Sequence, residues 1–279
     1  MMATIIAPRH TNGVSLTLTM LITITLVNGC TPAHRPATEA PSATAVLPES
    51  RKAINSDQRQ RARIRTELSS QYLALGNPGT AVVEAKNAIE SDPDYAPAHG
   101  ILALSYMSLQ ENAQAESAFR RAFQLAPSDP EIQNNYGWFL CKTGRASQSI
   151  AYFNKALANP LYPTPETAHA NLGYCHNQLK EYTQAEASYR RALDLSPDTV
   201  HANAGLAQSL FGIGRFLEVV AQTRKLHRLI TPTPATLWLG ARAAWRVGDG
   251  AALQEFATEL RSRYPDSEEC KQLNQGAYQ

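Results

Sequence analysis

Residues 96–129 read APAHGILALSYMSLQENAQAESAFRRAFQLAPSD, and residues 166–199 read ETAHANLGYCHNQLKEYTQAEASYRRALDLSPDT. The two stretches share a spacing more than a set of identities. Tyr106 leads into Ala115, Phe119, Ala122 and Pro127 in the first. Leu172 and Gly173 lead into Ala185, Tyr189, Ala192 and Pro197 in the second, and the last four residues of each fall 4, 3 and 5 apart. Frames opened at 62, 96, 130, 166, 200 and 234 place Pro93, Pro127, Pro197 and Pro265 at one position, and Gly76, Gly144, Gly214 and Gly248 at another. A period near 34 residues is that of stacked helical hairpins, with the glycine in the turn and the proline after the second helix.

Each residue type has a physical task in such a unit. Ala103, Gly137, Gly173, Ala207 and Ala241 are small where the first helix meets its partner, and Ala88, Ala122, Ala156 and Ala192 do the same on the second. Backbones then approach closely, and Phe119, Phe153 and Tyr189 fill the remaining space. The proline stops the second helix because it lacks a donor and clashes with a continuing turn. One hairpin cannot bury its apolar face alone, but a stack can. The pattern is similar to the tetratricopeptide repeat (TPR), and it implies an all-α, right-handed superhelix of about six helix-turn-helix units. Copies two and four match best; in copy five Thr223 and Leu226 stand where the aromatic and small residues are expected.

Residues before the array have another character. Arg9 and His10 precede an apolar run from Val14 to Val27, which is 14 residues long and ends in Leu26-Val27-Asn28-Gly29-Cys30. A spanning helix needs about 20 apolar residues, so the run has the length of a signal-peptide core. Its ending resembles a bacterial lipobox, which implies cleavage after residue 29 and lipidation of Cys30; an ordinary secretory signal or an uncleaved anchor are the alternatives. By resemblance to bacterial sorting rules, Thr31 in place of an Asp favours the outer membrane. Residues 30–50 are rich in Pro, Ala, Thr and Ser and hold too few apolar side chains to fold, so they read as a tether. The TPR domain is then expected over 51–279. Its basic lead-in, with Arg51, Lys52, Arg59, Arg61, Arg63 and Arg65, reads as a solvated helix face, or else as a contact for acidic groups or lipid headgroups.

Composition excludes more than it assigns. The 279 residues carry a formal charge of only +2, so no general nucleic-acid field is implied. Seven histidines are scattered without paired zinc spacing, and no glycine-rich phosphate loop occurs. Cys175 and His176 are adjacent on a helix and therefore point about 100° apart, which does not suit a nucleophile with its base. No catalytic residue, metal, cofactor or small-molecule substrate is expected. Cys141 and Cys175 fall at positions 12 and 10 of successive first helices, close enough for a disulfide after a small helix rotation. Export favours the bond, worth about 3–4 kcal/mol in the loop-entropy picture; two buried thiols filling a helix interface are the alternative. Cys270 has no evident partner.

Binding is the better-supported role. First helices line the concave face of this fold, mainly through repeat positions 2, 5, 9, 12 and 13. Those positions hold Leu104, Met107, Asn134, Trp138, Tyr174, Asn177 and Phe211, and farther along Trp238, Arg242 and Trp245. Aromatics among amides suit an extended or hydrophobic peptide, although some of these side chains could instead pack into the neighbouring helix. The middle of the chain narrows the family. Asn134 to Cys141, Tyr152-Phe153 through Ala156-Leu157, Pro160-Leu161-Tyr162-Pro163-Thr164-Pro165 and Asn171 to Cys175 closely resemble the PilF/PilW proteins of type IV pilus biogenesis. So does the two-residue lengthening between copies three and four. Tyr174 and His176 depart from that family's smaller or more apolar choices. The resemblance implies six repeats, a lipid anchor, paired cysteines in these helices, and a pilotin role at the outer membrane. Such a protein binds the secretin subunit and assists its localisation and multimerisation. A different periplasmic TPR lipoprotein, scaffolding an envelope or cell-wall complex, is the alternative.

Overall fold

The computed structural model describes residues 48–278. The apolar leader, the lipidation residue Cys30 and most of the tether lie outside the described residues. Within them are 13 α-helices and no strand. They form six antiparallel pairs and a short closing helix: α1 (Pro48–Ala74) with α2 (Pro78–Ser91), α3 (Ala96–Ser108) with α4 (Asn112–Leu125), α5 (Pro130–Lys142) with α6 (Ala146–Leu157), α7 (Pro165–Gln178) with α8 (Tyr182–Leu195), α9 (Val200–Gly212) with α10 (Phe216–Leu229), and α11 (Pro234–Val247) with α12 (Gly250–Arg263), then α13 (Glu268–Asn274). The fold is an all-α TPR solenoid. Helix α1 opens at Pro48, inside the stretch read as tether, and carries the basic lead-in without a break. Two of its arginines hold α1 to the array: Arg59 pairs with Asp92 and lies over the Tyr95 ring, and Arg65 reaches Glu84 at 2.6 Å.

Packing within each pair follows the small-against-aromatic rule. A methyl group added at Gly137 would stand 3.0 Å from Phe153, and one at Gly173 would stand 3.0 Å from Tyr189. Both rings are fully buried, as is Phe119. In the sixth pair the aromatic is Phe256 and it rides over Gly240, one residue ahead of the register that marked Ala241. Copy five has no aromatic at the filler position, where Thr223 stands; Thr223 and Leu226 are nevertheless buried. There Tyr189 of copy four extends across the joint, so close to Gly205 that an added methyl would fall 2.1 Å from its ring.

Helix ends obey local chemistry. Asp129 accepts from the backbone N–H groups of Glu131 and Ile132 and starts α5, and Asp249 accepts from Ala252 and starts α12. Gly144 and Gly214 take φ of +82° in their turns, a conformation that an L side chain resists. The lengthened link from α6 to α7 folds Tyr162 inward against Ala156 and Ala168, where burial raises its phenol to about 12 against an opposing hydrogen bond from Thr164. Between copies three and four, Cys141 and Cys175 are joined in a disulfide with Cα atoms 5.8 Å apart.

Candidate partner-binding groove

First helices touch one another from repeat to repeat along the whole array. Second helices are splayed and meet mainly through long ion pairs, Arg190 to Glu218 at 3.2 Å and Arg224 to Glu255 at 2.6 Å. A row of close helices backed by a row of spread ones curves, and the first helices form its inner wall. Residues in the turns repeat this bracing: Arg145 reaches Glu116 at 3.0 Å, and Arg215 reaches Glu186 at the same repeat positions two copies later.

Not every position expected to face inward does so. Position 5 is buried at Gly100, Asn134, Ala170 and Trp238, and position 12 is buried at Cys141 and Asn177. In those repeats they form the seam between neighbouring first helices, whereas Trp245, also at position 12, is exposed. Asn177 is a correction to the expected groove set: its amide donates to the Gly205 carbonyl at 3.2 Å, accepts from the Ser209 hydroxyl at 2.9 Å and meets the buried Tyr189 phenol. Asn134 is a second correction, 4% exposed, donating to Asn135 and accepting from the Asn171 amide at 3.1 Å. A buried amide left without partners would be costly, and here each joins two helices. Leu104 and Met107 are half-buried and pack on the cluster around Phe119 and Phe139, so they present edges rather than whole side chains.

Positions 2, 9 and 13 are open to the groove. Their centre is a constellation from three successive first helices. Trp138 of α5 lies 5.1 Å from Tyr174 of α7, and His201 of α9 stands 6.4 Å from the first ring and 5.9 Å from the second. The Lys142 ammonium, one turn beyond Trp138, sits 5.4 Å from the Trp138 centroid and 5.1 Å from that of Tyr174, and donates to the Tyr174 hydroxyl at 3.4 Å. Crowding by the wall, and then the Lys142 charge, hold the His201 imidazole below its ordinary pKa. Lys142 and His201, at positions 13 and 2, lie outside the expected set of aromatics and amides and add charge beside it.

Toward the last repeat, Phe211 is half-buried beneath the Arg242 guanidinium, 4.5 Å from its centroid. Trp238 is largely buried, while Trp245 is 45% exposed. The segment after α13 turns back onto this wall. Tyr278 stacks on Trp245 at 5.4 Å and lies 5.5 Å from Trp238, and its carbonyl accepts from Arg242 at 3.5 Å. No group of three or more His, Cys, Asp or Glu among the described residues could hold a metal ion. His176, beside Cys175, is bonded to Glu181 at 2.6 Å.

An aromatic, cation-bearing wall on a helical-repeat scaffold defines a protein-binding TPR array, and the sequence comparisons agree on the repeat. Tetratricopeptide repeat families match residues 167–199, and 66–130 with 102–164. The type IV pilus assembly protein PilF of Pseudomonas aeruginosa is 26% identical over 211 residues, 74% of this chain and 82% of that protein. The crystal structure of PilW, described as a widely conserved type IV pilus biogenesis factor, superposes with a TM-score of 0.71 at 32% identity, covering 76% of this chain and 98% of PilW. The solved structure of P. aeruginosa PilF shares the fold, with a TM-score of 0.71 at 24% identity over 79% of this chain and 99% of that one. This chain belongs to the PilF/PilW family of TPR proteins.

Proposed function

We propose that the chain is an outer-membrane lipoprotein of type IV pilus biogenesis, a pilotin that binds the secretin subunit and assists its localisation and multimerisation. The similarity to PilW over 98% of the solved PilW chain and 76% of this one supports the reading, because it extends well beyond a generic pair of repeats. Three parts of the chain divide the work. Cys30 supplies the lipid address, residues 31–47 supply reach, and the groove around Trp138 and Tyr174 holds a secretin segment. No step in this role needs covalent chemistry, so the protein acts by binding rather than as an enzyme.

Mass spectrometry of the protein purified from membranes tests the address. The reading expects an acylated N-terminal cysteine at Cys30, and an intact Met1 or an unmodified N-terminus sinks it. In cells, Cys30→Ser should release the protein to the periplasm and lower the amount of multimeric secretin. Unchanged multimer with the protein released would mean that the anchor is not required for the role proposed.

A further inference from the structure

The charges on the inner wall are one-sided. At positions 2, 9 and 13 of the six repeats the ionisable acids and bases are Arg63, Glu131, Lys142, Arg242 and Arg246, with His201 beside Lys142. In the outer layer and its turns Arg145, Arg190, Arg215 and Arg224 each hold a glutamate. Lys142 differs. It is exposed and contacts two aromatic faces and a phenol, but no carboxylate among the described residues. An ammonium held over ring faces keeps its charge available to a carboxylate arriving from the groove. The wall also displays how it takes a chain. Tyr278 lays its ring against Trp245 and Trp238 while its main-chain oxygen turns to the Arg242 guanidinium.

We propose that the wall from α5 to α9 receives an extended acidic segment bearing aromatic side chains. One ring of that segment packs on Trp138, Tyr174 and His201 while a neighbouring carboxylate meets Lys142. This rests on the proposed role as a partner-binding pilotin and adds the chemistry of the segment it would take.

Fluorescein-labelled Gly-Ser peptides centred on Tyr-Glu-Tyr-Asp are the probe, titrated with the full chain by anisotropy. Peptides centred on Tyr-Gln-Tyr-Asn and Leu-Glu-Leu-Asp are the controls, and each should bind about tenfold more weakly or worse. Added salt should weaken the acidic peptide and leave the amide peptide nearly unaffected. Lys142→Glu, an exposed site, should weaken the acidic peptide and favour one centred on Tyr-Lys-Tyr-Lys, with the melting midpoint kept. Equal binding of acid and amide peptides, no binding of any, or indifference to Lys142→Glu would overturn the proposal. Capture of the secretin by the same wild-type protein separates the two ideas. The expected peptide pattern without secretin capture leaves the segment chemistry standing and removes the pilotin partner. Secretin capture unaffected by Lys142→Glu does the reverse.

Discussion

Gln110 and Lys180 hold φ of +62° and +60°, and they occupy the turn position that Gly76, Gly144, Gly214 and Gly248 fill in the other four repeats. An L side chain there works against Cβ sterics, so the two best-matching repeats carry strained turns. Replacing either with glycine should raise stability by about 0.5–1 kcal/mol, since relief of the left-handed strain exceeds the added freedom of the unfolded chain. Thermal melts of the two single variants check this, and a lowered midpoint would show the side chains stabilising the turn in another way. Gly205 makes the opposite case. Its hydrogen faces the buried Tyr189 ring, and the ring's hydroxyl is tied to Asn177. Gly205→Ala improves helix propensity by about 1 kcal/mol yet must displace that ring, so a net loss of about 1–3 kcal/mol is expected in a denaturant titration. From sequence, Gly205 was one small residue among many; its role depends on an aromatic crossing from the previous repeat, which spacing within a repeat does not reveal.

At the scale of helices, the period, the prolines and the turn glycines made the hairpins legible, because each marks a helix end by a local rule. Seams between helices were less legible. Positions 5 and 12 were grouped with the open ones, but small rotations of each first helix turn them into the joint, and Asn134 and Asn177 became interhelical ties. The shift of the Phe256–Gly240 contact by one residue arose in the same way: a second small residue stood next to the expected one. The disulfide closes a separation of 34 residues across such a seam, so opening it frees a ring worth about 3–4 kcal/mol in the unfolded-chain picture. Reductant should therefore lower the melting midpoint of the wild-type protein and leave that of a Cys141→Ser, Cys175→Ser double variant unmoved. Buried Cys270 provides the control, because Cys270→Ser opens no ring and should keep the full response to reductant.

Across the whole molecule, charge is sorted by layer: ion pairs brace the outer helices, and aromatics with cations face inward. Such a solenoid is stiff along its seams and presents one extended surface, which suits holding a partner segment in a fixed frame. Near the centre of that surface is half-buried Trp138, whose ring meets Tyr174 and the Lys142 ammonium and packs on the cluster around Phe153. An aromatic anchor of this kind commonly contributes about 1–3 kcal/mol to association. Its truncation also removes some packing, so affinity must be measured on folded protein. The direct test is titration of the solubilised secretin with wild-type and Trp138→Ala chains, each corrected for its folded fraction from a parallel melt. A loss of about 1–3 kcal/mol in affinity, with the helical signal kept, is the predicted result. Equal affinity of the two folded proteins, with only the melting midpoint lowered, would place Trp138 in the core and contradict the groove as the secretin's seat.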